Sequence, residues 1–187
     1  MQPTNEAAPL PSIAVLGGTG KEGKGLALRW ARAGYRVIIG SRSIEKAQAT
    51  ANELMAMLGG AASVQGKDNL DAARQADIAV LTVLFEAHAE TLLAVKPALE
   101  GKLLIDVAVP LVPGKKHKAQ MPPAGSAAQE ARQILGENVQ LAAAFQNISH
   151  TQLLSEGAIE CDVLVTGTSP GARAEALKLV EAAGLTG

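Results

Sequence analysis

Three glycines near the beginning of the sequence have the spacing of a phosphate-binding loop. Gly18, Gly20 and Gly23 form the pattern G-x-G-x-x-G, which follows the apolar run Ser12–Leu16 and precedes a segment with the apolar spacing of a helix. Glycines at these places allow a tight turn, a close approach of the backbone to a pyrophosphate, and close packing of the helix on the strand. The phosphates then meet free N–H groups at the start of the helix. In this setting the pattern predicts a dinucleotide site.

The same residues come close to a second motif, the P-loop of nucleoside triphosphatases. The segment from Gly18 to Lys24 reads G-x-x-x-x-G-K. A P-loop continues with Ser or Thr, whose hydroxyl holds magnesium, whereas Gly25 stands at that position. The sequence therefore does not favour nucleotide hydrolysis.

Gly17, Gly20 and Gly23 also resemble the glycine loop of short-chain dehydrogenases. Those enzymes use a Tyr-x-x-x-Lys pair, and the one tyrosine, Tyr35, is followed at that distance by Ile39. Their chemistry is therefore not expected here. A glycine-rich turn that binds no ligand is the remaining alternative, and the neighbouring strand and helix patterns favour the dinucleotide site over it.

The end of the second predicted strand indicates which dinucleotide binds. An NAD site usually has Asp or Glu there, about 20 residues beyond the loop. The segment Val37-Ile-Ile-Gly-Ser-Arg42 contains no carboxylate. Ser41 can form a hydrogen bond, Arg42 can pair with a 2′-phosphate through its planar fork, and Lys46 adds a second cation. These residues favour NADPH over NADH, with a solvated Arg42 at a helix start as the alternative.

Composition excludes several other classes of protein. The 187 residues include 48% hydrophobic ones and balance 17 Lys and Arg against 18 Asp and Glu, which indicates a globular protein and disfavours nucleic-acid binding. The single cysteine, Cys161, excludes an intramolecular disulfide and suits a reducing cytoplasm. No apolar run reaches the roughly 18 residues of a membrane span, and the N-terminus lacks a signal peptide pattern. We therefore expect a soluble cytoplasmic protein without a metal site.

These loops need a scaffold, and the sequence predicts one of alternating strands and helices. The predicted strands are short runs, many of them rich in β-branched residues: Ser12–Leu16, Arg36–Gly40, Ser63–Gln65, Ile78–Thr82, Leu103–Asp106, Val139–Ala143 and Asp162–Thr166. Between them, apolar spacing over 47–58, a capping box at Ser126 and a helix start at Pro170 predict helices. The pattern is typical of an α/β fold with a doubly wound, mostly parallel sheet and helices on both faces. Residues 1–11 are predicted to be a disordered leader, and residues 12–187 one NAD(P)-binding domain.

Several segments together resemble the NADPH-dependent coenzyme F420 reductases. They are the glycine loop with its helix (16–29), Gly40-Ser41-Arg42, Asp77–Thr82 and Ala143–Ile148. The resemblance runs from Ile13 to the C-terminus and is closest at the glycine loop and the second strand. It implies a Rossmann fold with a small C-terminal helical part, and reversible hydride transfer between NADPH and the deazaflavin coenzyme F420.

The resemblance also implies where the two cofactors bind. The implied residues are Thr19, Gly20, Lys21 and Glu22 at the pyrophosphate, Ser41, Arg42 and Lys46 at the 2′-phosphate, Val83 and Leu84 beside the nicotinamide, and Val109, Asn147, Ile148 and His150 around the ring pocket. In such sheets ligands bind beyond the carboxyl ends of the strands, where these residues fall. Because the cofactors carry the chemistry of hydride transfer, no catalytic side chain is predicted.

The chain departs from the family pattern at several positions. Many relatives have Pro in place of Leu84 and Trp in place of Phe85, and some have Ile-Pro-Ala in place of Ile148-Ser149-His150. The family continues after the last helix with a segment that helps to enclose the deazaflavin and supports a homodimer, and we expect this segment to be missing after Gly187. A same-fold reductase of another small acceptor, such as an imine or a metal chelate, and a non-catalytic NADPH-binding module are the alternatives.

A few remaining side chains could also take part in chemistry. We expect His88 on a helix surface, with a place at the mouth of the pocket as the alternative, and Cys161 as an inert structural thiol. Asp106 ends the fifth predicted strand and either orients the next loop through backbone N–H groups or is solvated. The basic cluster Lys115-Lys116-His117-Lys118 is expected to be a solvated loop, with attraction of the phosphate and glutamate tail of the deazaflavin as the alternative.

Overall fold

A computed structural model describes residues 9–112, 114–155 and 157–187 and contains a mostly parallel sheet. Its strands lie in the order β3-β2-β1-β4-β5-β8-β9, and β9 alone is antiparallel to its neighbour. They are β1 (Ile13–Leu16), β2 (Val37–Ser41), β3 (Val64–Asp68), β4 (Ile78–Leu81), β5 (Leu103–Asp106), β8 (Gln140–Ala143) and β9 (Thr166–Gly167). The strand order reverses between β1 and β4, which places a ligand crevice beyond the carboxyl ends of these two strands.

Helices cover both faces of this sheet. They are α1 (Lys21–Arg32), α2 (Ile44–Met57), α3 (Asn69–Gln75), α4 (His88–Val95), α5 (Ala127–Leu135), α6 (His150–Leu153) and α7 (Pro170–Ala182). Ile13 and Val15 of β1 pack in the core beneath α1, α2 and α7, whereas Ala14 and Leu16 pack in the core beneath α3, α4 and α5. Successive strand residues point to opposite faces, so a strand buried on both sides must be continuously apolar. None of the described helices has the length and apolar character that a membrane crossing requires.

Side-chain caps fix where several helices begin. The Ser126 hydroxyl accepts a hydrogen bond from the Gln129 amide at 3.1 Å, and the Ser169 hydroxyl accepts one from Ala172 at 3.0 Å. The first confirms Ser126 as the N-cap of α5, which is one half of the predicted capping box, and Pro170 at the first position of α7 confirms the predicted start of that helix. The helix predicted from apolar spacing before Gly59-Gly60 is also confirmed as α2.

Two parts of the strand prediction are wrong. The segment predicted as a strand at Asp162–Thr166 forms only an isolated bridge at Asp162, and the short strand β9 begins at Thr166. The basic cluster at 115–118, predicted to be a solvated loop rather than a strand, lies in a separate two-stranded antiparallel ribbon, β6 (Leu111–Val112) with β7 (Lys115–Ala119). β6 and β9 have two residues each, too few for a sequence period, and the mostly basic β7 lacks the apolar residues by which the other strands were predicted. Residues 1–8 of the predicted leader lie outside the described residues, so the leader stays a prediction.

A buried arginine joins the first helix to distant segments. Arg29 of α1 is 9% exposed, and its guanidinium donates hydrogen bonds to the carbonyl groups of five residues: Gln152, Leu153, Ser155, Gly157 and Ala183. The neighbouring Trp30 is fully buried and donates its indole N–H to the Leu179 carbonyl at 2.8 Å. These bonds satisfy carbonyl groups at the ends of α6 and α7, and they hold both helices against α1.

Candidate dinucleotide-binding site

The glycines of the loop between β1 and α1 have different structural roles. A Cβ atom at Gly18 would lie 2.7 Å from the Val15 carbonyl oxygen, and one at Gly23 would lie 2.5 Å from the Thr82 hydroxyl. Gly17 has φ +74°, a conformation that favours glycine. At Gly20, by contrast, the nearest atom to an added Cβ is the Gly17 carbonyl oxygen at 3.5 Å. The fold of the loop therefore requires glycine at Gly17, Gly18 and Gly23. At Gly20, by contrast, the missing side chain leaves open space in front of α1.

A cleft of about 660 Å³ opens in front of this loop, at the carboxyl ends of β1, β2 and β4. Ten of the residues predicted from sequence line it: Thr19, Gly20, Lys21, Glu22, Ser41, Arg42, Lys46, Val83, Leu84 and His150. The amides of the first turn of α1 face this space, because Lys24 is the first residue of the helix whose N–H bonds back to the loop, at the Gly20 carbonyl. The positive end of the helix dipole and these amides make the loop side of the cleft suitable for an anion.

Positive charge is concentrated at the β2 end of the cleft. Ser41 is buried there and its hydroxyl accepts a hydrogen bond from the Ser43 amide at 3.2 Å, whereas Arg42 and Lys46 are exposed. Among the residues that the structure describes, neither Arg42 nor Lys46 forms an ion pair. The strand end offers hydroxyl and cationic donors without a carboxylate, which suits a phosphate rather than a ribose diol.

Glu22 brings a carboxyl group into the same cleft. It is the second residue of α1, and its Oε1 atom is buried without a hydrogen-bond partner in the described part of the chain. Burial raises the pKa of Glu22 to about 7, because a charged carboxylate loses its hydration there. The carboxyl group is therefore close to half protonated at neutral pH.

The opposite end of the cleft is apolar and open. Val83 and Leu84 follow β4 and line this end, and Leu84 is 76% exposed. Thr82 precedes them and donates its hydroxyl to the Leu16 carbonyl at 2.9 Å, which ties the β4 loop to β1. His150, at the start of α6, also lines the cleft and lies near Thr19 and Lys21 of the glycine loop. This end can accommodate a flat apolar ring next to the phosphate cradle.

Five of the predicted residues do not line the cleft. Gly18 and Gly23 are buried beneath it, as the close contacts above require. Ile148 is buried in the core on the α1 side of the sheet, and the Asn147 amide donates to the Asp162 carbonyl at 2.7 Å. Val109 is half-buried in the loop after β5. The left-handed Phe145, with φ +71°, turns the chain after β8 so that only His150 of this segment reaches the cleft.

Four polar residues of the cleft were not predicted: Ser43, Asn69, Thr82 and Thr91. The Asn69 side-chain oxygen accepts the Gly17 amide at 3.2 Å and so holds the glycine turn against the end of β3. Asn69 directly follows β3, but β3 extends three residues beyond the predicted strand Ser63–Gln65, so the prediction did not place Asn69 at the carboxyl end of the sheet.

His88 is not on the helix surface, and that expectation is wrong. Its side chain is fully buried, with Nε2 3.1 Å from Asp106 Oδ2 and Nδ1 2.9 Å from Glu130 Oε1. Burial alone would lower the pKa of His88, but the hydrogen bonds and charges of Asp106 and Glu130 outweigh it and raise the pKa. The imidazole therefore bridges two carboxylates behind the cleft wall formed by Ala87 and Thr91.

Asp106 also orients the loop that follows it, as one of the two sequence interpretations predicted. Its Oδ1 atom accepts the Ala108 amide at 3.0 Å, and its side chain is fully buried. The other interpretation, a solvated carboxylate, is wrong because both oxygens have partners inside the protein.

The lysine of the near P-loop does not face the cleft. Lys24 pairs with Glu53 of α2 at 2.7 Å, and a Cβ atom at Gly25 would lie 2.6 Å from the Leu153 side chain. A P-loop lysine has to reach the phosphates. The geometry therefore supports the dinucleotide interpretation of the loop.

Comparison with known proteins identifies the family. Residues 12–110 match the family model described as NADP oxidoreductase coenzyme F420-dependent. The chain belongs to this family. Curated members similar to it include the F420-dependent NADP reductase of Methanothermobacter marburgensis, which is 42% identical over 175 residues, or 90% of this chain and 78% of the relative. The F420-dependent NADP reductase of Methanocaldococcus jannaschii is 37% identical over 168 residues, or 86% of this chain and 74% of the relative.

Solved structures agree with the fold of an F420-dependent NADP oxidoreductase. A candidate F420-dependent NADP reductase from Arthrobacter sp. FB24 superimposes with a TM-score of 0.78 at 24% identity, covering 94% of this chain and 82% of the other. The pyrroline carboxylate reductase of Plasmodium falciparum with NADP bound gives a TM-score of 0.66 at 16% identity, covering 97% and 58%. At these identities the likeness shows a shared fold only.

Proposed function

We propose that this member of the family transfers a hydride reversibly between NADP(H) and coenzyme F420. The observation that carries the proposal is the pair of exposed cations, Arg42 and Lys46, in a cleft that the glycine loop also lines. This donor set suits a dinucleotide with a 2′-phosphate. Membership of the family indicates that coenzyme F420 is the hydride acceptor, because the similar curated proteins are F420-dependent NADP reductases.

The residues of the cleft divide between binding and orientation. Thr19, Gly20 and Lys21 are suited to hold the pyrophosphate at the start of α1, where the helix amides and dipole attract anions. Ser41, Arg42 and Lys46 are suited to the 2′-phosphate, with Arg42 as a planar donor. A dinucleotide that is held at its pyrophosphate and at its 2′-phosphate has little remaining freedom. Its nicotinamide ring is therefore oriented between the loop after β4 and α6.

The apolar end of the cleft is suited to the reacting rings. When bound, NADPH supplies the hydride that the deazaflavin accepts. Val83 and Leu84 present apolar surface on which flat rings can stack with little water between them. His150 lines the same cleft. We propose that Val109, Asn147 and Ile148 lie around the pocket for the rings. No acid or base is assigned, because alignment and exclusion of water are what the protein contributes.

A titration with both reduced dinucleotides tests the proposal. NADPH should reduce F420, followed by loss of the deazaflavin absorbance, and should bind more tightly than NADH. Changing Arg42 to Ala removes a charge-assisted contact of about 1.5–3 kcal/mol, so the Kd for NADPH should rise about tenfold or more while that for NADH changes little. Arg32→Ala, an exposed arginine at the other end of α1, is the matched control. Equal affinity of the unmodified protein for NADPH and NADH would contradict the assignment of the 2′-phosphate site.

The same proposal includes the domain organisation, the partners, the oligomeric state and the location of the protein. We infer one NAD(P)-binding domain over residues 12–187, small-molecule partners without nucleic acid, a homodimer, and a cytoplasmic location. The balance of 17 Lys and Arg against 18 Asp and Glu supports small-molecule partners. The single, half-buried Cys161 is compatible with a reducing compartment. Sedimentation of the purified protein at several concentrations tests the homodimer.

A further inference from the structure

The carboxyl group of Glu22 lies where the proposed function requires an anion to bind. Glu22 occupies the first turn of α1 and lines the cleft together with Thr19 and Gly20. The amides and the dipole of this helix end attract a phosphate. A carboxylate in the same turn repels the phosphate across a partly desolvated gap. Glu22 therefore lowers the affinity for a pyrophosphate as long as it is ionised.

No ion pair to Glu22 among the residues that the structure describes offsets that repulsion. The charged or titratable groups that line the cleft around Glu22 are Lys21 on α1, Arg42 and Lys46 beside β2, and His150 on α6. Within the described residues, none of them forms an ion pair or hydrogen bond with Glu22, and Oε1 is buried without a donor. The β3 and β4 sides present Asn69 and Thr82, which are uncharged. Oε1 is therefore shielded from the cleft, and a ligand can reach the half-buried Glu22 at its other carboxyl oxygen.

We propose that Glu22 binds the dinucleotide as a neutral carboxylic acid that donates its O–H to a phosphate oxygen, so that binding takes up one proton from solvent. Protonation removes the repulsion and turns an acceptor into the kind of group that a phosphate can use, because phosphate oxygens only accept hydrogen bonds at this pH. The proton moves from solvent to the Glu22 carboxylate, and no other bond changes. This inference rests on the proposed function, since it requires a dinucleotide in the cleft.

The direction of the pH effect follows from the protonation. With a pKa of about 7 in the free protein, the site is mostly neutral below pH 7 and mostly charged above it. If only the neutral form binds, the Kd for NADPH rises about 25-fold from pH 7.5 to pH 9, approaching a factor of about ten per pH unit. The 2′-phosphate has its second pKa near 6 and is fully ionised over this range, so its charge does not contribute.

The test compares the full chain with two variants at the same residue. Glu22→Gln keeps a donor and removes the charge, whereas Glu22→Leu removes both. The Kd for NADPH is measured by nicotinamide fluorescence from pH 7.5 to pH 9. Proton uptake at pH 8 is measured by calorimetry in two buffers of different ionisation enthalpy. His150→Asn controls for the imidazole that lines the cleft, and far-UV circular dichroism checks folding.

We expect the unmodified protein to show the 25-fold rise and to take up about 0.9 proton at pH 8. Glu22→Gln should bind NADPH with a pH-independent Kd and no proton uptake, and Glu22→Leu should bind about tenfold more weakly than Glu22→Gln. His150→Asn should keep the pH dependence.

A Kd that does not change with pH in the unmodified protein would overturn the inference. So would a pH dependence that persists in Glu22→Gln, or a Glu22→Gln variant that binds more weakly than the unmodified protein throughout, since the carboxylate would then accept a hydrogen bond from the ligand. Failure of every form to bind NADPH at pH 7.5 would instead refute the proposed function, so the two failures can be distinguished.

Discussion

Replacing His88 by leucine removes the imidazole that separates two carboxyl groups behind the cleft. Both ring nitrogens lie within hydrogen-bond distance of a carboxylate, Asp106 at 3.1 Å and Glu130 at 2.9 Å. Glu130 is 23% exposed and can turn to solvent, whereas Asp106 is fully buried and keeps only the Ala108 amide as a donor. The variant therefore leaves a buried charge without its counter-charge.

The expected loss is large for a domain of this size. Removing one partner of a buried ion pair costs about 3–5 kcal/mol, against a total stability of about 5–15 kcal/mol. For a chain of this length each kcal/mol lowers Tm by about 2–4 °C, which gives a decrease of about 6–20 °C. Adding Asp106→Asn to His88→Leu should recover more than half of the loss, because asparagine is neutral and still accepts the Ala108 amide.

The pH dependence of stability has a defined sign. The folded protein raises the pKa of His88, so the charged network contributes fully below the ordinary histidine pKa of about 6.5. The contribution is lost as the pH rises through the higher folded pKa. The unmodified protein should therefore be more stable at pH 6 than at pH 9, and the leucine variant should show less of this dependence.

Urea unfolding followed by tryptophan fluorescence measures both effects. Trp30 is the only tryptophan, is fully buried, and bonds to Leu179 of α7, so its emission should report loss of the core. A destabilisation of less than about 1 kcal/mol at pH 6, or an unchanged pH dependence in the variant, would refute the buried charge network.

Two further predictions follow from the loop and its helix. Gly20→Val should abolish NADPH binding while the far-UV circular dichroism stays unchanged, because an added Cβ meets only the Gly17 carbonyl at 3.5 Å and the rest of the side chain fills the cleft. The control is Gly157→Val, since an added Cβ at Gly157 has no atom within 4 Å. Normal NADPH binding by Gly20→Val would exclude the loop as the phosphate site. Arg29→Met should lower the free energy of unfolding by about 2–4 kcal/mol in urea, because buried carbonyl groups lose their donor; the exposed Arg32→Met should change it by less than about 0.5 kcal/mol, and equal losses would contradict the role of Arg29.

The sequence predicted those parts of the fold that depend on neighbouring residues. The central strands β1 and β4 are short apolar runs buried on both faces, so composition and length suffice to find them. The capping serine of α5 and the proline of α7 act within one helical turn, and both predictions are confirmed. Ten of the fifteen cofactor-binding residues predicted from sequence line one cleft, because ligand loops of such a sheet meet at one edge.

Features that depend on distant contacts could not be read in this way. His88 appears as one polar residue in an amphipathic segment, and only the fold brings Asp106 and Glu130, 18 and 42 positions later, to its two nitrogens. Ile148 is next to Asn147 in sequence, yet the left-handed turn at Phe145 directs one into the core and the other toward Asp162. The backbone conformation of a phenylalanine is set by its packing, and no local pattern predicts a positive φ there.

The buried arginine of α1 also has a consequence for the order in which the protein is made. A ribosome synthesises the glycine loop and α1 early, whereas the carbonyl groups that bond to Arg29 lie between 123 and 154 positions later in the chain. Until Ala183 has been added, the guanidinium has no complete set of acceptors and must stay hydrated, which keeps α1 from settling on the sheet. The helix that follows the phosphate loop therefore reaches its final position only after about 150 further residues have been added. Capture of the dinucleotide by a nascent chain should accordingly lag far behind translation of the loop itself.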